Sequence, residues 1–292
     1  MIYKIVHRTK YKYKYPVSVG NHVACLKPRS LLQHRLTKCE IHIQPTPAAI
    51  TERTDYFGNT LYLFTLREPH TELVVEARSE VLMEDVQATM PHGDLPWEEA
   101  VRSLPDDHSP EGLAAYQFRF ESPRIPLRTE FADYALKSFT PRRLLREGLL
   151  DLTERIHTDF RFDSGVTTVR TTTEEVFRKR RGVCQDFAHL QIACLRSLNL
   201  SARYVSGYLR TYPPPGQPRL VGADASHAWV SAYCPGTGWL DLDPTNNLIP
   251  SNGHVTLAWG RDYGDVSPLR GLILGGGVHA LTVSVDMELL ES

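Results

Sequence analysis

Three changes of hydrophobic rhythm along the chain constrain its fold more than any other feature. In residues 1–85 the apolar positions recur every second residue. Tyr11, Tyr13 and Tyr15 alternate with Lys12 and Lys14, Cys39 with Ile41 and Ile43, and Leu73 with Val75 and Ala77. Period two puts alternate side chains on one face of a strand. Asp55-Tyr56-Phe57-Gly58-Asn59 supplies turn chemistry before the apolar run Leu61 to Leu66. Short strands separated by Gly, Pro and Asn predict a β-sandwich. The tyrosine stripe reads as packing within it rather than as a ligand platform.

Residues 86–140 are rich in Pro, Asp, Glu and Ser and read as a connecting region with one helix near Pro96 to Leu104. From there to residue 292 a second domain is expected. Thr140-Pro141 suggests a helix start, and Leu145, Leu149, Leu152, Ile156 and Phe160 follow at helical spacing. Thr172-Thr173-Glu174-Glu175 fits a capping box. The basic run Arg178 to Arg181 then falls at that helix's C-terminal end, where the dipole favours cations. Alternation returns after Asn199, over Ala202 to Leu209, Ser226 to Tyr233, Trp239 to Asp243, Val255 to Trp259 and His279 to Leu289. Helices followed by strands predict α+β rather than a parallel α/β sheet.

Composition narrows the function classes. The chain has 292 residues, 41% of them hydrophobic, enough for a sizeable core without disulfides. A formal charge of −1 points to neither nucleic acid nor an anionic membrane as a partner. The opening Met1 to Arg8 carries no apolar core of an export signal, and no stretch reaches the ~20 apolar residues of a membrane helix. Cys25, Cys39, Cys184, Cys194 and Cys234 are odd in number and scattered, which suits free thiols in a reducing cytoplasm.

One of those thiols sits in Gly182-Val183-Cys184-Gln185-Asp186-Phe187-Ala188-His189-Leu190. Gly182 allows a tight backbone turn, and a helix then begins at Cys184, with Phe187, Leu190, Cys194 and Leu198 on one face. At a helix start the N–H groups are unpaired and the dipole is positive, so a thiolate is favoured and an oxyanion can be held. The plainer alternative is that Cys184 is a small core residue, as Cys194 is expected to be. A metal site from Cys184, His189 and Cys194 matches no paired ligand spacing.

Ser226 to Tyr233 and Trp239 to Asp243, joined by Cys234-Pro235-Gly236-Thr237-Gly238, read as a hairpin. A turn centred on Gly236 pairs Tyr233 with Trp239, Ser231 with Asp241 and Trp229 with Asp243. His227, Asp241 and Asp243 then share a face. Asp243 is the diagonal neighbour of His227 at about 7–8 Å, within side-chain reach. Asp241 lies roughly 6–7 Å further along the strand and is the weaker candidate. An Asp that fixes one imidazole nitrogen leaves the other to exchange a proton with a thiol. Read alone, His227 could be a satisfied strand histidine and Asp243 a turn cap.

Together these stretches resemble the transglutaminase-like superfamily, whose core is similar to that of papain-type cysteine proteases. The carrying motifs are Gly182 to Leu190, Ser226-His227-Ala228-Trp229 and Leu242-Asp243-Pro244-Thr245-Asn246. Tyr11 to Pro16, Asp55 to Asn59, Leu73 to Val81 and Gly260 to Gly271 look like the bacterial subgroup with a β-rich N-terminal domain. The resemblance implies a papain/transglutaminase-like catalytic domain with an antiparallel sheet over residues 141–292. It makes Cys184 the nucleophile, His227 the base and acid, and Asp243 the orienting group. Gln185, Asp186, Tyr204 and Trp229 are expected as site support, with no metal or cofactor. The implied substrate is a peptide or protein, and some relatives are thought to operate beside peptide-ligase enzymes. The expected activity is a peptidase or amidase acting through a thioester. Transglutaminase chemistry with an amine acceptor, or a binding scaffold that kept the fold, stand as alternatives. Calcium-dependent cross-linking finds no EF-hand-type loop in the sequence.

Overall fold

The computed structural model describes residues 1–84, 94–168, 171–211 and 225–291. The start of the expected connecting region, residues 86–93, lies outside the described residues. The elements in chain order are β1 (Ile2–Ala24), β2 (His34–Gln44), β3 (Ile50–Thr54), β4 (Thr60–Leu66) and β5 (His70–Met83). Then come α1 (Trp97–Ser103), α2 (Pro110–Tyr116), α3 (Thr129–Leu136), α4 (Leu145–Asp159), β6 (Arg161–Phe162), α5 (Thr173–Lys179) and β7 (Arg181–Gly182). The remainder are α6 (Cys184–Ser197), β8 (Ala202–Leu209), β9 (Ala225–Cys234), β10 (Gly238–Leu242), β11 (His254–Gly260), α7 (Tyr263–Val266), β12 (Leu269–Gly275) and β13 (His279–Glu291). The chain is α+β.

Alternation works as the sequence suggests. On β1, Tyr3, Ile5, His7 and Thr9 are buried, while Lys4, Arg8 and Lys12 are exposed. Tyr11 and Tyr13 stack on each other with ring centroids 6.1 Å apart. The expected sandwich takes a different form in its hydrogen bonding: one seven-stranded sheet, β2-β5-β1-β4-β3, with β12 and β13 also on β1. The reason is the length of β1, whose 23 residues serve two halves. Its first half runs between β5 and β13, and its second between β4 and β12. Residues from both halves, among them Tyr3, Val17, Phe64, Leu73 and Val75, share one core.

The C-terminal strands therefore do not pair as a domain boundary at residue 141 implies. His279 to Leu289 forms a strand as expected, but it pairs with β1 from Tyr3↔Leu289 to Tyr13↔His279. Its alternation says only that one face is buried, not which sheet buries it.

The second sheet is β10-β9-β8-β11, antiparallel throughout. The hairpin register is the one counted from Gly236: Tyr233 faces Trp239 and Ser231 faces Asp241. One face of this sheet, with Ala202, Tyr204, Ala228 and Val230, packs in the same core as Leu190 and Ala193 of α6. Further along the sheet, Tyr208, Val255 and Leu257 meet Tyr3, Ile5, Val285 and Met287 of the first sheet. Buried Asn59, between β3 and β4, ties the first sheet to the second. Its side-chain amide donates to the Trp259 carbonyl at 2.8 Å and its oxygen accepts the Trp259 N–H at 3.1 Å.

Helix boundaries follow local chemistry, with one correction. Thr140-Pro141 does not open α4. Arg142 takes a left-handed φ of 63°, which breaks the helical path, and α4 starts at Leu145. Thr172 caps α5 by accepting the Glu175 N–H at 3.2 Å. Left-handed Arg180 closes that helix, and left-handed Asn199 follows the end of α6.

Candidate active site

Cys184 is the first residue of α6. The chain enters through Val183, whose N–H is accepted by the Asp186 carboxylate at 2.9 Å, the return half of a capping box. Asp186 is buried, and burial raises its pKa while the Val183 N–H pulls it down. Gly182 proves necessary for closeness rather than for an unusual backbone angle. A Cβ there would stand 2.8 Å from Asp186 Cβ and Oδ2.

His227 lies on β9 and Asp243 follows the end of β10. Their contact is short: Nε2 to Oδ2 is 2.7 Å. Asn246 Nδ2 lies 3.3 Å from the same ring nitrogen, and Cys184 lines the same cleft, close enough to favour the charged imidazole. Burial works against charge on His227, but the bonds and charges of Asp243 and Cys184 outweigh it and raise its pKa to about 10. Asp243 is wholly buried, which opposes ionisation. Bonds from His227 and His254 prevail and hold it well below the usual carboxylate range.

Asp243 has further partners that the sequence did not advertise. Its Oδ2 also accepts from His254 Nε2 at 3.2 Å and from Asn246 Nδ2 at 2.7 Å. Its Oδ1 accepts the N–H groups of Thr245 and Asn246 at 2.9 and 3.2 Å. His227, Asp243 and His254 place possible ligand atoms within 4.8 Å of one another, spacing that a cation could use. Here the same atoms are engaged with one another through hydrogen bonds. His254 begins β11, so only the folded sheet brings it to this carboxylate. Asn246 stood within the Leu242 to Asn246 motif, which was the available signal.

The remaining expected residues separate by position. Gln185 and Tyr204 line the same open cleft as Cys184 and His227, a cavity of about 270 Å³. Tyr204 lies against His189, ring centroids 4.9 Å apart, and its pKa is raised well above normal, by burial first and then by the Cys184 charge. Asp186 faces back into the helix start. Trp229 is fully buried beneath the site, 6.2 Å from the His227 ring, and gives its indole N–H to Asp241 at 3.1 Å. That bond explains where the weaker carboxylate candidate points. His189 accepts the Tyr263 N–H at 3.1 Å, and Cys194 is buried in the helical core with its thiol pushed up by burial. Neither joins Cys184 as a ligand.

The opposite wall was not foreseen. It comes from the first sheet: His7, Thr9 and Tyr11 of β1, and Leu281 and Val283 of β13. His7 sits between Tyr208 Oη and Thr9 Oγ1, each at 3.1 Å, and burial lowers its pKa to about 4.

A cysteine at a helix mouth, faced by an imidazole held on a buried carboxylate, fits the relationships found by comparison. The family described as the bacterial transglutaminase-like N-terminal region matches residues 3–82, and the transglutaminase-like superfamily matches residues 135–244. An uncharacterized protein of Mycobacterium tuberculosis is 40% identical over 301 residues, covering 99% of this chain and 93% of that protein. The chain belongs to the bacterial transglutaminase-like family. The crystal structure of a "putative cysteine protease" from Cytophaga hutchinsonii superimposes with a TM-score of 0.75 at 23% identity, covering 100% of this chain and 91% of that one. A protein-glutamine gamma-glutamyltransferase of Pseudomonas aeruginosa is 37% identical over 76 residues, 26% of this chain and 11% of that protein.

Proposed function

We propose that this protein is a cysteine-nucleophile acyl-transfer enzyme acting on peptide or carboxamide bonds, with Cys184, His227 and Asp243 as its catalytic residues. The observation that carries this reading is the placement of His227, anchored on a buried carboxylate and sharing a cleft with a helix-start cysteine. Asp243 holds one ring nitrogen at 2.7 Å, and Cys184 shares the cleft with the imidazole, close enough to favour its charged form. Cys184 Sγ adds to the carbonyl carbon, and the first N–H groups of α6 stabilise the oxygen that gains charge. Protonated His227 gives its proton to the leaving amine, the carbon–nitrogen bond breaks and a thioester remains. The imidazole, now neutral, takes a proton from water as that water attacks the thioester. The acid is released and the thiolate and imidazolium return.

Hydrolysis is favoured because the cleft is open and water reaches it. An amine in place of water would give transamidation by the same steps. The two outcomes part in one experiment. Purified protein is incubated with peptides carrying glutamine and with a labelled primary amine, using Cys184→Ala as control. New termini or released ammonia without label incorporation support hydrolysis; incorporation supports transfer. Neither product above the Cys184→Ala level removes the proposal in favour of a binding scaffold. Five free thiols suit a reducing compartment, which would keep the nucleophile available.

A further inference from the structure

We propose that the first sheet supplies the substrate-selecting wall of this cleft, and that the wall takes a large apolar side chain next to the carbonyl attacked by Cys184. This rests on the acyl-transfer reading above. The argument starts with one face of β13. Val285 and Met287 are 1% and 0% exposed, packed with the central sheet. Two and four residues earlier on the same face stand Val283 and Leu281, now 47% and 52% exposed. The face has not changed; its cover has ended. Val283 and Leu281 pair with Thr9 and Tyr11 of β1, and all four border the cavity that holds Cys184 and His227. A single exposed apolar residue is unremarkable on a protein surface. Two on one strand face, both opening onto a nucleophile, form a binding surface.

The chemistry of the lining selects the occupant. Among the described residues that border the cavity, none is Asp, Glu, Lys or Arg. Apart from the His227 imidazolium, the lining offers a charged substrate side chain no ion-pair partner, so one set against Leu281 and Val283 would lose water without compensation. An apolar one would exchange water for Leu281 and Val283. The other side of the cleft offers Gln185, Ser206 and Ser226, polar groups suited to the substrate's backbone amides. At about 270 Å³ the cavity accommodates a short extended segment rather than a folded partner.

The test uses the full chain and four peptidyl chloromethyl ketones that differ only in the residue beside the reactive carbonyl: Leu, Phe, Asp or Lys. Labelling of Cys184 is followed by mass spectrometry, with iodoacetamide as a reagent that needs no side-chain recognition. The Leu and Phe reagents should label at least about tenfold faster than the Asp and Lys reagents. Leu281→Asp should erase that preference, and the near-isosteric Val283→Thr should weaken it, with circular dichroism reporting that each variant is folded. Equal rates for all four reagents, or an unchanged ranking in folded Leu281→Asp, overturn the inference while leaving the acyl-transfer reading in place. If iodoacetamide labels Cys184 no faster than the other four thiols, the acyl-transfer reading falls and this inference with it.

Discussion

Asp243 is wholly out of water, and three side chains donate to its Oδ2. A buried carboxylate so well supplied stays ionised and makes a lasting counter-charge for His227. Replacing it by Asn keeps the shape but removes the charge and changes which ring nitrogen carries the proton. Asp243→Asn should therefore lower turnover by up to about 10⁴-fold with little effect on KM, as measured by steady-state kinetics. The raised pKa of His227 gives a signed stability prediction. Its folded value, about 10, exceeds the ordinary 6.5, so protonation stabilises the fold fully below pH 6.5. The contribution shrinks above that and is lost as pH passes about 10. The Tm gap between wild type and His227→Gln should thus be widest at pH 6 and narrow by pH 10.5; a gap that widens with pH contradicts it. The positions of Cys184, His227 and Asp243 were legible because short-range counting places them: a helix start, and a hairpin whose turn fixes its register. His254 was not. It begins β11, beyond the hairpin, and nothing local marks it as a partner of Asp243.

Between elements, small groups set close approaches. A methyl on Gly182 would collide with Asp186 and dislodge the carboxylate from the Val183 N–H, disturbing the turn that presents Cys184. Gly182→Ala should cost about 1–3 kcal/mol of stability by chemical denaturation and slow iodoacetamide labelling of Cys184. Asn59 acts as a one-residue strand, satisfying both backbone groups of Trp259 in the second sheet. Asn59→Ala leaves that buried N–H and carbonyl unpaired, and should cost about 2–4 kcal/mol in the same assay. The sequence read Asp55 to Asn59 correctly as a turn; the Asp55 carboxylate accepts the Phe57 and Asn59 N–H groups at 2.9 and 2.8 Å. It could not show that Asn59 reaches a strand 200 residues away. The misplaced start of α4 has a local cause. Thr140-Pro141 has the composition of a helix start, and only the left-handed turn at Arg142 reveals that the helix waits for Leu145.

For the molecule as a whole, the decisive connection is the return of β12 and β13 to β1. Strand periodicity revealed β13 as a strand but was silent on its partner, because alternation is identical in either sheet. A chain truncated after Val266 would uncover the core around Tyr3, Ile5 and Tyr208 and remove Val285 and Met287 from it. Such a truncation should lose cooperative thermal unfolding and become sensitive to limited proteolysis, whereas the full chain should unfold in one transition. The same return has a consequence for the time at which the protein becomes competent. Residues 279–291 leave the ribosome after every other part of the cleft has been made. Until they dock beside β1, a growing polypeptide carries Cys184 without the surface opposite it. On the reading proposed above, substrate recognition is thereby deferred until β13 has been made.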